Sequence, residues 1–392
     1  MNTNGFQVVP VLTAFALSLG AAPAALAQVP AMTAMPGWTT DDIAALRRAV
    51  ASAPQDALPV LSTAELDRAA ASGDARMIGE AASDLALRLA KLELVGTSSA
   101  AQKGKWAIVD TDAGLDVEPM LDVALAAGTV DAFFEELRPQ HPDYAALRAA
   151  YATETDPARR TTLARNMERW RWMPHSLGSS YVLVNIAAFQ ARLWRGGKQV
   201  GEWRTINGKP STPTPVFRTT ITGVTFNPWW EVPASIVRES VGALVRNHPA
   251  SARARGFVVQ GGRYRQAPGP GNALGLMKLV MPNPYSVFMH DTSNRNLFAQ
   301  DNRALSHGCV RVGDAIGYAA TLLDGAVSQS RIDAILASRQ TTTVDLAHPL
   351  TLYIAYFTAG PDATGKVMFY KDIYHRDDGV PAPKDADIPC CN

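Results

Sequence analysis

The spacing of apolar residues changes period once along the chain, near residue 173, and a fold of one structural class does not accommodate both halves. Before that point Ile78, Ala81, Leu85, Leu89 and Leu92 recur every three or four residues, which turns one stripe of a helix toward a core. After it, Tyr181-Val182-Leu183-Val184-Asn185-Ile186 and Ala191-Arg192-Leu193-Trp194-Arg195 are short strand-like runs, the second closed by a Gly196-Gly197 turn. The expected class is α+β multidomain, an all-α domain followed by a mainly antiparallel, β-sandwich-like domain. With 392 residues, 47% of them hydrophobic, the chain has material for two or three domains with sizeable cores.

In the helical half, Thr39-Thr40-Asp41-Asp42 supplies an N-cap and an acidic first turn, and Ser62-Thr63-Ala64-Glu65 reads as a capping box opening a second helix. Further helices are expected over 119–127, 130–137 and 142–151, and a long one from Asp156-Pro157 carries Leu163, Met167 and Trp170. Phe133, Phe134 and Tyr144 lie at core-like spacing. Asp110-Thr111-Asp112 lacks the glycine and distal glutamate of a calcium loop, so no metal and no cofactor is expected there. In the second half a stiff Pro213-Thr214-Pro215 precedes a strand over 218–226. Asn227-Pro228-Trp229-Trp230 then opens an insertion over 227–265, with a helix expected over 234–244. We read it as a lid whose Trp229 and Trp230 form a peptide-binding wall. Strands over 277–281 and 285–289 return the chain to the sheet.

The formal net charge of +1 comes from interspersed charges, which gives neither a nucleic-acid stripe nor a polybasic membrane tether. Residues 8–26 are apolar and run into Ala25-Leu26-Ala27, the pattern of a signal-peptidase site, so cleavage after Ala27 and export are expected. An uncleaved anchor is the alternative, because no Lys or Arg precedes Arg47. In an oxidising compartment the three cysteines matter. Cys390 and Cys391 are adjacent in a polar tail, where a bond between neighbours is strained. Cys309 has specific surroundings.

Those surroundings are Ser306-His307-Gly308-Cys309-Val310-Arg311, with Met289-His290-Asp291-Thr292 upstream. A free thiol, with a pKa of about 8.5, is only slightly ionised at neutral pH, and a nearby imidazole remedies this. His290, at a strand end, is the expected base, and Asp291 is expected to fix its tautomer through side chain or carbonyl. The Gly308 and Cys309 amides are expected to form an oxyanion hole. His307 is read as structural or substrate-contacting, while Arg311 and Arg303 either hold a substrate carboxylate or serve structural ion pairs. A buried structural cysteine and a metal site remain the plainer readings, the latter without an evident fourth ligand.

The pattern H-x(15)-S-H-G-C-h-R, carried here by His290, Ser306, His307, Gly308, Cys309 and Arg311, resembles the YkuD-type L,D-transpeptidase family. The strings FNPWWEVP, PGPGNALG, NPYSVFMHDT and LFAQDNRALSHGCVRV resemble its large Gram-negative branch, which places a helical scaffold domain before the catalytic domain. The resemblance covers 167–378, including Tyr353 to Tyr356 and Asp372-Ile373-Tyr374 as closing strands, and is mainly architectural before that. It implies domains at 1–27 (signal), 28–172 (scaffold), 173–378 (catalytic) and 379–392 (tail). It also implies a catalytic Cys309 that attacks a peptidoglycan stem peptide, forms a thioester and passes the acyl group to an amine of another stem. The cross-link would be 3-3 or 1-3. Carbapenem β-lactams are implied as covalent inhibitors, the periplasm as the location, and wall-synthesis partners for the helical domain. A carboxypeptidase or exchange enzyme using the same thioester, and a non-catalytic wall scaffold, are the alternatives. Many members have Asn where this chain has Arg311, and no repeat-like wall-binding module is evident, so the groove, lid or helical domain must provide wall targeting.

Overall fold

The computed structural model describes residues 37–383, so the expected signal segment, Cys390 and Cys391 lie outside the described residues. The described residues form one compact unit. The helices before the first long strand are α1 (Thr40–Ser52), α2 (Ala64–Ser72), α3 (Ala75–Val95), the short α4 (Ala100–Lys103), α5 (Val117–Ala127), α6 (Val130–Leu137), α7 (Pro142–Thr153) and α8 (Pro157–Trp170). The Thr39 side chain and Asp42 close a reciprocal capping box on α1. The box expected at α2 does not form. The Thr63 hydroxyl turns to Asp67 (2.8 Å), and Ser62 Oγ accepts the Ala64 N–H instead.

Two cores divide the helices, and the division does not follow the expected boundary at 172. Leu46, Leu85, Leu89, Phe133, Phe134 and Leu137 close a purely helical core from α1, α3 and α6. Leu147, Tyr151, Leu163 and Met167 of α7 and α8 instead pack into the core of the sheet. Asn166 pins α8 to the chain beyond the last long strand, its amide reaching Thr358 Oγ1 (2.9 Å) and its carbonyl receiving the Thr358 N–H (2.8 Å). The texture of the chain changes at 172, but the apolar faces of α7 and α8 commit them to the strands. A buried ionic cluster occupies the seam: Asp56 takes Arg148 at 2.8 Å and Arg138 at 3.2 Å, and Arg171 donates to the Asp56 carbonyl at 2.6 Å. Such charges add little net stability but exclude other arrangements of the two cores, because an unpaired member would be stranded in low dielectric.

The strands are β1 (Trp106–Ala107), β2 (Ser180–Asn185), β3 (Gln190–Arg195), β4 (Lys198–Gly208), β5 (Val216–Phe226), β6 (Trp230–Glu231), β7 (Phe257–Gln260), β8 (Arg263–Gln266), β9 (Met277–Val280), β10 (Met289–His290), β11 (Ala304–Ser306), β12 (Val310–Val312), β13 (Thr342–Ala355), β14 (Ala359–Pro361) and β15 (Val367–Phe369). The main ladder runs β5-β13-β2-β3-β4-β12-β10-β9, and β9 pairs back onto β5 from Gly223↔Val280 to Phe226↔Met277. A sheet with paired ends is a closed circuit, so the sandwich-like expectation is corrected to a barrel-like ladder without open edges along this path. Pairing is mostly antiparallel, with β13–β2 and β10–β12 parallel. From the helical half, β1 adds to the start of β5, in parallel. Asp372-Ile373-Tyr374, expected as a closing strand, is not a strand but a segment wrapped against the sheet.

The insertion folds around a small core of its own. β6, β8 and β7 form a separate three-stranded sheet, and Trp230, Val241, Ala252 and Phe257 pack together. Trp230 is therefore largely spent on packing, whereas Trp229 stays exposed beneath the Arg265 guanidinium (4.5 Å). The helix expected over 234–244 is broken into α9 (Ala234–Ile236), a π-turn (Val237–Val241) and α10 (Gly242–Asn247). Such turns insert one extra residue and redirect side chains. Glu239 lies in it.

Candidate active site

Strand register assembles the site. β10 sets Met289 beside Val310 and His290 beside Arg311, and β9 sets Lys278 beside His290. Paired residues share a face of the sheet. Met289, Val310 and Val312 are wholly buried in the core, so Lys278, His290 and Arg311 stand in a row on the opposite face, and Cys309, two residues before Arg311, joins them.

Cys309 is a half-buried free thiol. Burial pushes its pKa above the ordinary value, against the Phe288 N–H and the charges of Arg311 and Lys278, which pull it down. The Lys278 ammonium rests over the Phe288 ring at 4.6 Å. His290 is buried, with Nδ1 against the Asp291 carbonyl oxygen. Burial, aided by the Arg311 charge, brings its pKa down to about 4 despite the carbonyls of Asp291 and Leu274. The ring is thus neutral at neutral pH. An Nδ1 facing a carbonyl carries the proton of the neutral ring.

Of the two ways Asp291 was expected to orient this ring, the carbonyl is the one used. Its carboxylate instead accepts the Leu276 N–H (2.9 Å) and Arg295 Nη2 (2.9 Å). Gly275 completes that turn at φ +63°, and a Cβ there would stand 2.4 Å from the Asp291 carboxyl carbon. Asp291→Ala is accordingly expected to cost about 1–3 kcal/mol of stability, from a stranded amide and a lost ion pair. Its acylation rate per folded molecule should fall by less than about tenfold, against the ~10⁴ lost with the carboxylate of a true triad. Denaturant melts and burst acylation of the same preparation check both halves.

The loop before Cys309 is laced from within and from behind. Ser306 Oγ donates to the Cys309 carbonyl (2.6 Å) and accepts the Gly308 N–H (3.0 Å). The Gly308 amide is therefore engaged and not available to an oxyanion. The Cys309 amide makes no hydrogen bond within the described residues. Gly308 contributes its backbone conformation, φ +113°, which a residue with a Cβ adopts only under strain. From behind, Thr214 Oγ1 donates to the Gly308 carbonyl (2.9 Å), and Thr212 Oγ1 and the Lys209 N–H reach the Ser306 carbonyl.

The remaining expected residues separate. His307 Nε2 meets Glu239 of the insertion at 2.8 Å, an exposed contact tying the insertion to the Cys309 loop. Arg303 is structural, its nitrogens donating to the carbonyls of Thr205, Gln300 and Phe189. Among the described residues Arg311 makes no ion pair and its buried Nε has no hydrogen-bond partner, which leaves it available to a ligand carboxylate. Trp229 and Trp230 belong to the insertion, the first at its surface and the second in its core. Lys278 was missed by sequence reasoning. Its signal was a lysine between the buried Met277 and Leu279 of β9, on the face that leads to His290.

The L,D-transpeptidase catalytic domain (YkuD) family model matches residues 179–332, and a scaffold-domain model matches 31–150. The first match stops before β13, although that strand pairs with both β5 and β2. A curated Haemophilus influenzae protein named "Putative L,D-transpeptidase" is 31% identical over 237 residues, covering 55% of this chain and 48% of the relative. The chain thus spans about half the length of the curated relative it matches. Among solved structures, L,D-transpeptidase 3 from Mycobacterium tuberculosis aligns at TM-score 0.26 and 12% identity, over 45% of this chain and 61% of that one. An L,D-transpeptidase from Mycobacterium smegmatis aligns at 0.24 and 14%, over 45% and 58%. By sequence, this chain carries an L,D-transpeptidase catalytic domain of the YkuD family, preceded by an N-terminal scaffold domain.

Proposed function

We propose that the protein is an exported, periplasmic peptidoglycan L,D-transpeptidase working through a thioester on Cys309. The observation that carries the reading is the shared face of Cys309 and a neutral, carbonyl-locked His290, flanked by Lys278 and Arg311, neither of which makes a close ion pair within the described residues, although the Glu231 charge reaches Lys278. His290 Nε2 takes the thiol proton as Sγ attacks a stem-peptide carbonyl carbon. The oxyanion is met by the Cys309 amide. The imidazolium then returns the proton to the departing amine, leaving a thioester. An amine of a second stem attacks the thioester carbonyl and gives its proton to His290, which passes it to the departing sulfur and restores the thiol. Arg311 and Lys278 suit the carboxylates with which stem peptides are rich, and the lid, linked by Glu239 to His307, suits exclusion of water from the thioester. The scaffold helices are proposed to dock wall-synthesis partners.

The test is intact mass spectrometry of the purified chain with a stem tetrapeptide or a carbapenem, followed by muropeptide analysis of walls from cells expressing it. A single adduct on Cys309 and new dimers are expected, and tandem mass spectra of the dimers assign a 3-3 or 1-3 bond. Trimmed monomers without dimers would replace transfer by hydrolysis or exchange, and no adduct at all would make the protein a non-catalytic scaffold.

A further inference from the structure

Beside the segment 209–215, which braces the loop that carries Cys309, lies a cavity of about 410 Å³. Four cations line it, Lys103, Lys105, Arg169 and Arg376, and no Asp or Glu does, in a chain whose net charge is +1. Two of the four are committed: Arg169 pairs with Asp377 at 2.7 Å, and Lys103 lies 3.8 Å from Asp110. The other two are not. Lys105 is exposed and makes no ion pair among the described residues. The Arg376 guanidinium lies over the rings of Tyr356 (5.1 Å) and Tyr374 (5.2 Å), themselves stacked at 5.4 Å, and among the described residues its side chain makes no hydrogen bond or close ion pair, although the Asp372 charge reaches it. Asp372, beneath this shelf, is taken by the Tyr356 hydroxyl and by the Arg376 and Asp377 amides. An arginine held flat on two aromatic faces keeps its donor fork ordered at little entropic cost, as recognition of a planar carboxylate requires.

The remaining walls say what body that anion is attached to. Trp106, Trp172, Pro210 and Pro213 are apolar or ring-bearing, which suits a peptide or sugar more than a free inorganic ion. Hydrogen bonds connect the cavity wall to the catalytic loop. The Tyr374 hydroxyl donates to the Gly208 carbonyl (2.6 Å) and receives the Thr214 N–H (3.1 Å), and Thr214 in turn holds Gly308.

We propose that this cavity is a second substrate subsite, in which Arg376 and Lys105 hold a carboxylate of a neighbouring stem peptide or glycopeptide of the same polymer. The inference rests on the L,D-transpeptidase reading and deepens it. A polymer that repeats its stems engages both sites at once, so the second raises retention through effective concentration without a separate wall-binding module.

The experiment measures calorimetric binding of a soluble disaccharide-tetrapeptide to two hosts, the carbapenem-acylated protein and the Cys309→Ala chain. A weaker affinity by about tenfold is expected in each host for Arg376→Gln and for Lys105→Glu, the loss of one charge-assisted contact. The same loss is expected for the unmodified pocket when the carboxylates of the probe are amidated. Should Arg376→Gln fail to melt cooperatively, Lys105→Glu, on an exposed side chain, carries the test. Unchanged affinity in the variants overturns the subsite. So does displacement of the probe by inorganic phosphate at equal affinity, which would make the cavity a small-anion site. Failure of the unmodified protein to acylate is a separate result, counting against the catalytic reading, and the alanine host still reports on the cavity.

Discussion

Cys309→Ala is expected to abolish adduct formation with stem peptides and carbapenems and to remove every new dimer from the muropeptide profile, with the folded state nearly unchanged. The loss should be complete because the mechanism proposed for this site is covalent. Without Sγ no thioester exists, and the residual effect of binding and amide donors acts on a reaction that lacks its nucleophile. The fold should tolerate the change because Cys309 is half-buried and its side chain receives only the Phe288 N–H. The loop is held by other groups, the Ser306 hydroxyl on the Cys309 and Gly308 backbone and Thr214 on Gly308. A melting midpoint within a few degrees of the parent, together with no adduct, is the expected pair. An alanine variant that still gains the mass of the carbapenem would move the nucleophile elsewhere and sink the proposed mechanism. Cys390 and Cys391 provide the internal check, since peptide mapping distinguishes a tail thiol from Cys309.

What was legible in the sequence depended on how local the determining contact is. Cys309 and His290 stood out because each sits in a short motif whose neighbours restrict its chemistry. The capture of the Gly308 amide by Ser306 was legible in principle, since a serine hydroxyl commonly accepts the N–H two residues on, and the Ser-x-Gly order is that spacing. The orientation of His290 was not, because the backbone at Asp291 turns the carbonyl rather than the carboxylate to the ring, and residue type does not encode that direction. Lys278 escaped because strand pairing over twelve residues brings it beside His290. The same holds on a larger scale. Helices α7 and α8 read correctly as helices, but which core their apolar stripes enter is decided by the strands. Closure of the ladder depends on β9 meeting β5 more than fifty residues away, and no local pattern announces it.

His290→Gln is expected to slow acylation of Cys309 by about 10²–10⁴-fold, the usual span for a positioned general base. The pH profile of the unmodified protein then tells which form of the base works. Burial lowers the imidazole to about 4 and raises the thiol above its ordinary value. A pair with these shifts holds a neutral thiol beside a neutral imidazole at neutral pH, not a thiolate beside an imidazolium. The sign follows from the direction of each shift. The imidazole loses its acceptor only below about pH 4, so the acid limb should fall there rather than near the ordinary histidine value of about 6.5. On the alkaline side the rate should keep rising as the thiol ionises by itself, and His290→Gln should retain that rise while losing the neutral-pH rate. A preformed ion pair would also give a low acid limb, but it absorbs in the ultraviolet as thiolate at neutral pH. Absence of that absorbance at pH values where acylation is fast separates the two. An acid limb near 6.5, or a thiolate band at pH 7, would show that the environment of His290 in solution is not the buried, carbonyl-locked one from which the mechanism is drawn.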